Sequence, residues 1–272
     1  MTVLTTSAQP AAADTGAALR PVPWRRMVWV TWRQHRATLL SVPAVLGVVV
    51  IFLLLTGLWV HQNYAALIAC HPARADACQD LRRTFNNTDW TMGNVLMILV
   101  NVVPALLGAF AGAPVLAREL ETGTFRFTWT QGMGRARHTA ARLVLLAIPV
   151  TAAAYAFSLV FAWFLGPFVS EQGMSVFNAT VFETRGISFA AWTLVAFAIG
   201  AFLGMLIRKI IPAMAVTLGA YVALAVATAA VLREHYPVSA FWPMQSFEGG
   251  WLLVLSAVLI AATVWLVRHR AA

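Results

Sequence analysis

Residues 186–207 read GISFAAWTLVAFAIGAFLGMLI, 22 residues in succession without a charged side chain. A helix rises about 1.5 Å per residue, so a run of this length crosses a hydrocarbon layer of about 30 Å. On either side of it, uncharged and mainly apolar runs of the same kind occupy 37–60, 91–117, 143–168, 211–232 and 249–267. Hydrophobic residues make up 60% of the chain, and its mean hydropathy is +0.76. The expected fold is all-α: a polytopic integral membrane protein with six transmembrane helices forming one domain over residues 37–270.

A formal charge of +9 could suggest a nucleic-acid partner, but the charges sort by side of the membrane. Of the 19 Lys and Arg, 14 fall on the side shared by the N-terminus, the loop 118–142, Arg208 and Lys209, and the C-terminus. The opposite side holds Arg74, Arg82, Arg83, Arg185 and Arg233 together with seven of the ten acids. By the positive-inside rule both termini are expected to be cytoplasmic, in a multi-pass protein of the cell inner (plasma) membrane. The basicity is then a topology signal, and no nucleic-acid partner is expected.

Residues 1–23 lack the basic and apolar regions of a cleaved signal and are rich in Ala, Thr and Pro, which reads as a disordered cytoplasmic leader. Residues 24–36 follow as WRRMVWVTWRQHR. At 100° per residue Trp24, Val28 and Trp32 share one face, while Arg25, Arg33 and Arg36 share the other. That pattern fits an amphipathic interfacial helix against membrane lipid, or a simple membrane-flanking anchor.

Cys70 and Cys78 lie in the loop after the first span, on the oxidising side in this topology, and are expected to form a disulfide. A metal site from His61, Cys70, His71 and Cys78 is the alternative, but the spacing matches no zinc pattern and no metal is assigned. In the second span Asn94, Asn101 and Gly108 recur every seven residues, with Ala105 and Gly112 on the same stripe. Such a face points into a bundle or across a dimer, as packing or as a substrate path, with packing preferred. Gly200 and Gly204 form a similar small pair.

The sequence contains no GxxxxGK[ST] loop, so ATP hydrolysis is not expected of this chain. HExxH and GxSxG are absent too, and no acid falls inside the spans as drawn. Energy for any transport would come from a partner. The segment placed to meet one is ARELETGTFRFTWTQGMGRARHTAARL, residues 117–143. Glu119, Glu121 and Thr122 lead into Gly123, which can turn sharply at positive φ. Beyond it Thr124 to Gln131 carries Phe125, Phe127 and Trp129, followed by Arg135 and Arg137. Aromatic anchors with a charged rim suit docking to a soluble protein; an interfacial loop with its Arg side chains at the headgroups is the other reading.

This segment resembles the loop between the second and third helices of ABC-2 type transporter permeases. VWVTWRQHRATLL at 28–40, RKIIPAMAVTLGAYVAL at 208–224 and FWPMQSFEGGWLL at 241–253 are similar to further pieces of that family, in the same order. The resemblance implies a six-helix permease half that pairs with a second permease chain, identical or related, and binds two separate ABC ATPase subunits. ATP and Mg would be bound by those subunits, with no cofactor in this chain. It also implies a coupling loop at 118–142, in which Glu119, Glu121, Thr122, Gly123 and Thr124 form the turn and Trp129, Gln131, Arg135 and Arg137 meet the ATPase. One departure is the short stretch between His235-Tyr236-Pro237 and Phe241-Trp242-Pro243, where relatives carry a longer external segment. The function implied is export of an amphipathic small molecule, peptide or lipid. The alternative is a membrane anchor or assembly protein that binds a cytoplasmic partner without translocation.

Overall fold

The computed structural model describes residues 24–71, 76–123, 135–237 and 240–270, and the leader 1–23 lies outside them. All regular structure among the described residues is helical, and six helices are long and apolar enough to cross a membrane. In chain order the helices are α1 (Trp24–Ala69), α2 (Asp76–Thr84), α3 (Trp90–Leu107), α4 (Pro114–Glu121), α5 (Arg135–Gln172), α6 (Ala179–Glu183), α7 (Gly186–Ile207), α8 (Ile210–Ala227) and α9 (Phe241–Arg270). Three π turns, Phe85–Asp89, Gly108–Gly112 and Thr228–Leu232, join or extend them.

The centre of the bundle is α7, whose membrane window is 72% buried. It packs against α9, α5, α8 and the second span formed by α3, its π turn and α4, while α1 lies against α5. The limits of α7 are set by its flanks. Gly186 opens it at φ +59, and Arg208 closes it in the left-handed region at φ 60. Lys209 is extended, so only two residues separate α7 from α8.

Aromatic side chains fill the space between α1, α3 and α5. Phe157, Phe161, Phe164 and Phe168 are fully buried along α5, with successive ring centroids 6.1, 6.0 and 5.6 Å apart. Leu53, Val60 and Met97 close this layer. A second layer joins Leu116, Leu143, Leu146, Phe197, Met205 and Val267 near the end that carries residues 118–123.

Hydropathy and helix geometry draw different boundaries. No break separates 24–36 from the first span, because α1 runs unbroken from Trp24 to Ala69 with Pro43 inside it. Along its first turns the Arg33 guanidinium lies 5.5 Å from the ring centroid of the exposed Trp29. The side chains of Trp24, Arg25, Val28, Trp32 and Arg36 lie outside the described residues. At the other end of the chain α9 begins at Phe241 rather than at 249, which carries Gln245 and Glu248 into the helix. A charged residue ends a hydropathy run, but it does not end a helix when partners wait for it inside the bundle.

Candidate functional site

Two polar assemblies hold the ends of the bundle, one at the basic end beside residues 118–123 and one at the acidic end beside residue 248. At the basic end the last turn of α4 carries Arg118, Glu119 and Glu121. Thr122 closes that turn, its backbone N–H and its hydroxyl both donating to the Arg118 carbonyl at 3.0 and 2.8 Å. Gly123 then leaves the helix at φ +71, a conformation that side chains with a Cβ rarely adopt.

The two carboxylates of this turn reach two different spans. Glu119 accepts a hydrogen bond from Arg142 of α5, whose side chain is only 5% exposed. Glu121 Oε2 accepts the Ile210 backbone N–H at 2.8 Å. Ile210 is the first residue of α8, and the preceding Lys209 offers no side-chain cap. The first N–H groups of a helix have no partner within it, and its N-terminus carries partial positive charge. Glu121 therefore serves α8 as a cap supplied from another helix, worth about 1 kcal/mol or less at an exposed position. Both glutamates stand out in the sequence, but Arg142 and the Ile210 amide, which lie 23 and 89 residues away, do not.

Of the other loop residues, Arg137 is exposed on the first turn of α5, and Arg135 begins that helix with its side chain outside the described residues. Thr124, Trp129 and Gln131 also lie outside them.

The small-residue stripe falls inside the chain's own bundle. A Cβ on Gly108 would sit 2.5 Å from the Ala196 carbonyl oxygen, and one on Gly112 would sit 2.6 Å from that of Phe197. On the facing helix, Cβ atoms on Gly200 and Gly204 would strike the carbonyl oxygens of Gly108 and Ala113. These four glycines thus let α7 and the second span touch backbone to backbone. Asn101 Nδ2 donates to the carbonyls of Met97 and Thr180, whereas Asn94 is exposed.

At the acidic end the fully buried Glu248 of α9 is a hub that hydropathy placed outside the last span. Its Oε1 accepts from Ser188 Oγ at 2.9 Å, Trp192 Nε1 at 2.8 Å and Arg233 Nη2 at 3.0 Å. Its Oε2 accepts from Arg233 Nε at 3.0 Å and the Tyr236 hydroxyl at 3.2 Å. Arg233 Nη2 also donates to Glu183 at 2.8 Å, and the guanidinium lies 5.0 Å from the Phe182 ring centroid. One turn earlier, Gln245 accepts the Ser188 N–H and donates to the Phe182 carbonyl, both at 2.9 Å. α9 thereby caps the start of α7 and fixes the far end of α8. Removing one member of such a buried ion pair leaves an uncompensated charge, a loss of about 3–5 kcal/mol.

Burial shifts the groups of this end that lie outside the spans. It raises the Glu183 carboxyl above its ordinary range, against the pull of Arg233. It lowers Arg185, and together with the Glu248 carboxylate it pushes the Tyr236 hydroxyl up to about 12. Nearby, Cys70 and Cys78 form a disulfide between α1 and α2, with Cα atoms 5.7 Å apart. His61 turns instead to α5, its ring stacked 4.5 Å from Trp163 and its Nε2 3.1 Å from the Trp163 carbonyl. No group of three or more potential ligands suited to a metal ion occurs among the described residues.

Residues 43–233, well over half of the chain, match the family described as ABC-2 membrane transporter related. The chain belongs to that family. It is a transporter permease subunit and a multi-pass membrane protein, and ABC-2 permeases associate with ABC ATPase partners. No curated protein and no solved structure matches it. In this ABC-2 permease the matched region contains both the Glu119–Glu121 turn and the Arg233 end of α8.

Proposed function

We propose that this permease is one half of an exporter, paired with a second permease chain, identical or related, and driven by two ABC ATPase subunits that hold ATP and Mg. Residues 118–142 form the coupling loop, the basic end faces the cytoplasm, and the membrane is the cell's inner (plasma) membrane. The cargo is an amphipathic small molecule, peptide or lipid. The observation that carries this reading is the pair of carboxylates beside Gly123, which ties the start of the loop to α5 through Arg142 and to α8 through Ile210. A loop tied in this way passes a displacement to three spans at once. ATP-dependent contact between the ATPase and the loop then biases the spans between two arrangements, since a partner shifts an equilibrium only by differential affinity.

The test is reconstitution in lipid with the ABC ATPase that co-purifies with the permease. Gly123→Val forces a β-branched residue to positive φ, and Trp129→Ala removes an anchor from the loop. Both variants should insert and fold while losing ATPase affinity or the ability of the permease to alter ATP hydrolysis. An absence of any ATPase complex, or a complex indifferent to both substitutions, would exclude the reading.

A further inference from the structure

The fifth span is the least buried of the six. Together with its π turn and a last 3-10 turn, Arg233–His235, α8 forms a continuous rod of 26 residues, about 39 Å long. Only 17% of its membrane window is buried, against 72% for α7. Its buried residues are Ala213, Thr217, Tyr221 and Thr228, with Met214, Leu218, Leu224 and Ala225 packed beside them against the bundle. Thr217 and Thr228 donate their hydroxyls to their own helix, at Ala213 and Leu224. These two hydroxyls therefore do not tie α8 to α7.

Between its ends α8 is held by apolar packing, with the Tyr221 ring 5.6 Å from that of Trp192; its polar ties to other elements are at the ends, and the two ends are unequal. At Arg233 a guanidinium with 9% exposure is bonded to two carboxylates from α6 and α9. At Ile210 one carboxylate from an exposed residue, Glu121, accepts one backbone N–H. The first attachment is desolvated and doubly bonded, while the second has one polar contact, open to water, beside an apolar contact of Ile210, Ala213 and Met214 with Ala113 and Ala117.

We propose that α8 is the output lever of this permease, driven at Ile210 by Glu121 and pivoting at Arg233 against Glu248 and Glu183. This rests on the reading of residues 118–142 as the segment that meets the ATPase. When the loop moves, Glu121 carries the N-terminus of α8 with it while the other end stays in place. Arg208 and Lys209 are the only residues between α7 and α8, so the stroke is limited to a few ångströms, within the reach of two residues at about 3.5 Å each. α7 is the fixed rail, held against the second span by its glycines.

Hydrogen exchange on the permease–ATPase complex in lipid nanodiscs, with and without a non-hydrolysable ATP analogue, tests this. In the wild type the analogue should change exchange at residues 210–216 by about fivefold, comparable to the worth of a carboxylate at a helix N-terminus. Residues 228–236 should change little. Glu121→Ala should abolish the response at 210–216, and a substitution at Ile210, outside residues 118–142, tests the same contact with the ATPase still bound. Ile210→Pro should likewise abolish the response, because it deletes the N–H and leaves the carboxylate intact, and proline is favoured at the first position of a helix. A response that survives either substitution, or one larger at 228–236 than at 210–216, overturns the lever. If residues 118–123 respond and 210–216 do not, the lever alone fails; if neither segment responds, the coupling-loop reading fails and the lever with it.

Discussion

α7 and α8 are consecutive in the chain and nearly equal in mean hydropathy, yet most of one is buried and most of the other is exposed. The difference lies in side-chain size and end chemistry. α7 presents Gly200 and Gly204 to Gly108 and Ala113, so backbone meets backbone, while α8 packs through one side-chain face and turns Ile211, Val216, Val222 and Val226 outward. Apolarity states that a helix belongs in the membrane. Small residues decide what it lies against, and buried polar groups decide where it is pinned.

Four substitutions test this contrast. Glu248→Ala has the largest expected effect, because it frees the start of α7 and the end of α8 together and strands Arg233; a loss of about 3–5 kcal/mol should appear as a fall in thermal stability of the purified protein in detergent. Gly200→Val attacks α7 alone by driving a side chain into the Gly108 backbone, and should remove about 1–3 kcal/mol in the same assay. Glu183→Gln acts through pH. The folded protein holds the Glu183 proton above the ordinary carboxylate range, so this group's contribution to stability is full below that range and declines as pH rises through the raised value. The substitution should flatten that decline in a pH series of melting curves while keeping an acceptor for Arg233. Val222→Ala, on the exposed face of α8, should change stability by no more than about 0.5 kcal/mol, and a larger loss would mean that α8 is packed more firmly than its exposure suggests.

The six spans were legible because uncharged runs of membrane length rarely arise outside a bilayer, and 186–207 has the same limits in the sequence and in α7. Gly123 was legible as a turn because few residues other than glycine leave a helix comfortably at positive φ. The acidic-end cluster was not, since a hydropathy run stops at Glu248 although its partners Ser188, Trp192 and Arg233 are brought in by other parts of the chain. The Asn94–Asn101–Gly108 stripe was legible only in part. A seven-residue repeat drifts by about 20° per heptad on a straight helix, so over two heptads Asn94 and Gly108 part by about 40°. Gly108 then meets α7, whereas Asn94 is left exposed. Glu121 was visible as an acid before a turn, but its partner is a backbone amide, which no pattern of side chains reveals.

The Cys70–Cys78 bridge has a consequence for biogenesis. Disulfides persist where the surroundings are oxidising and are reduced in the cytosol. A chain threaded with its acidic end outward keeps the bridge and resists a thiol-labelling reagent, whereas one threaded backwards presents two free thiols. The protein thus carries a chemical record of the direction in which it was inserted, readable from a single labelling gel of whole cells.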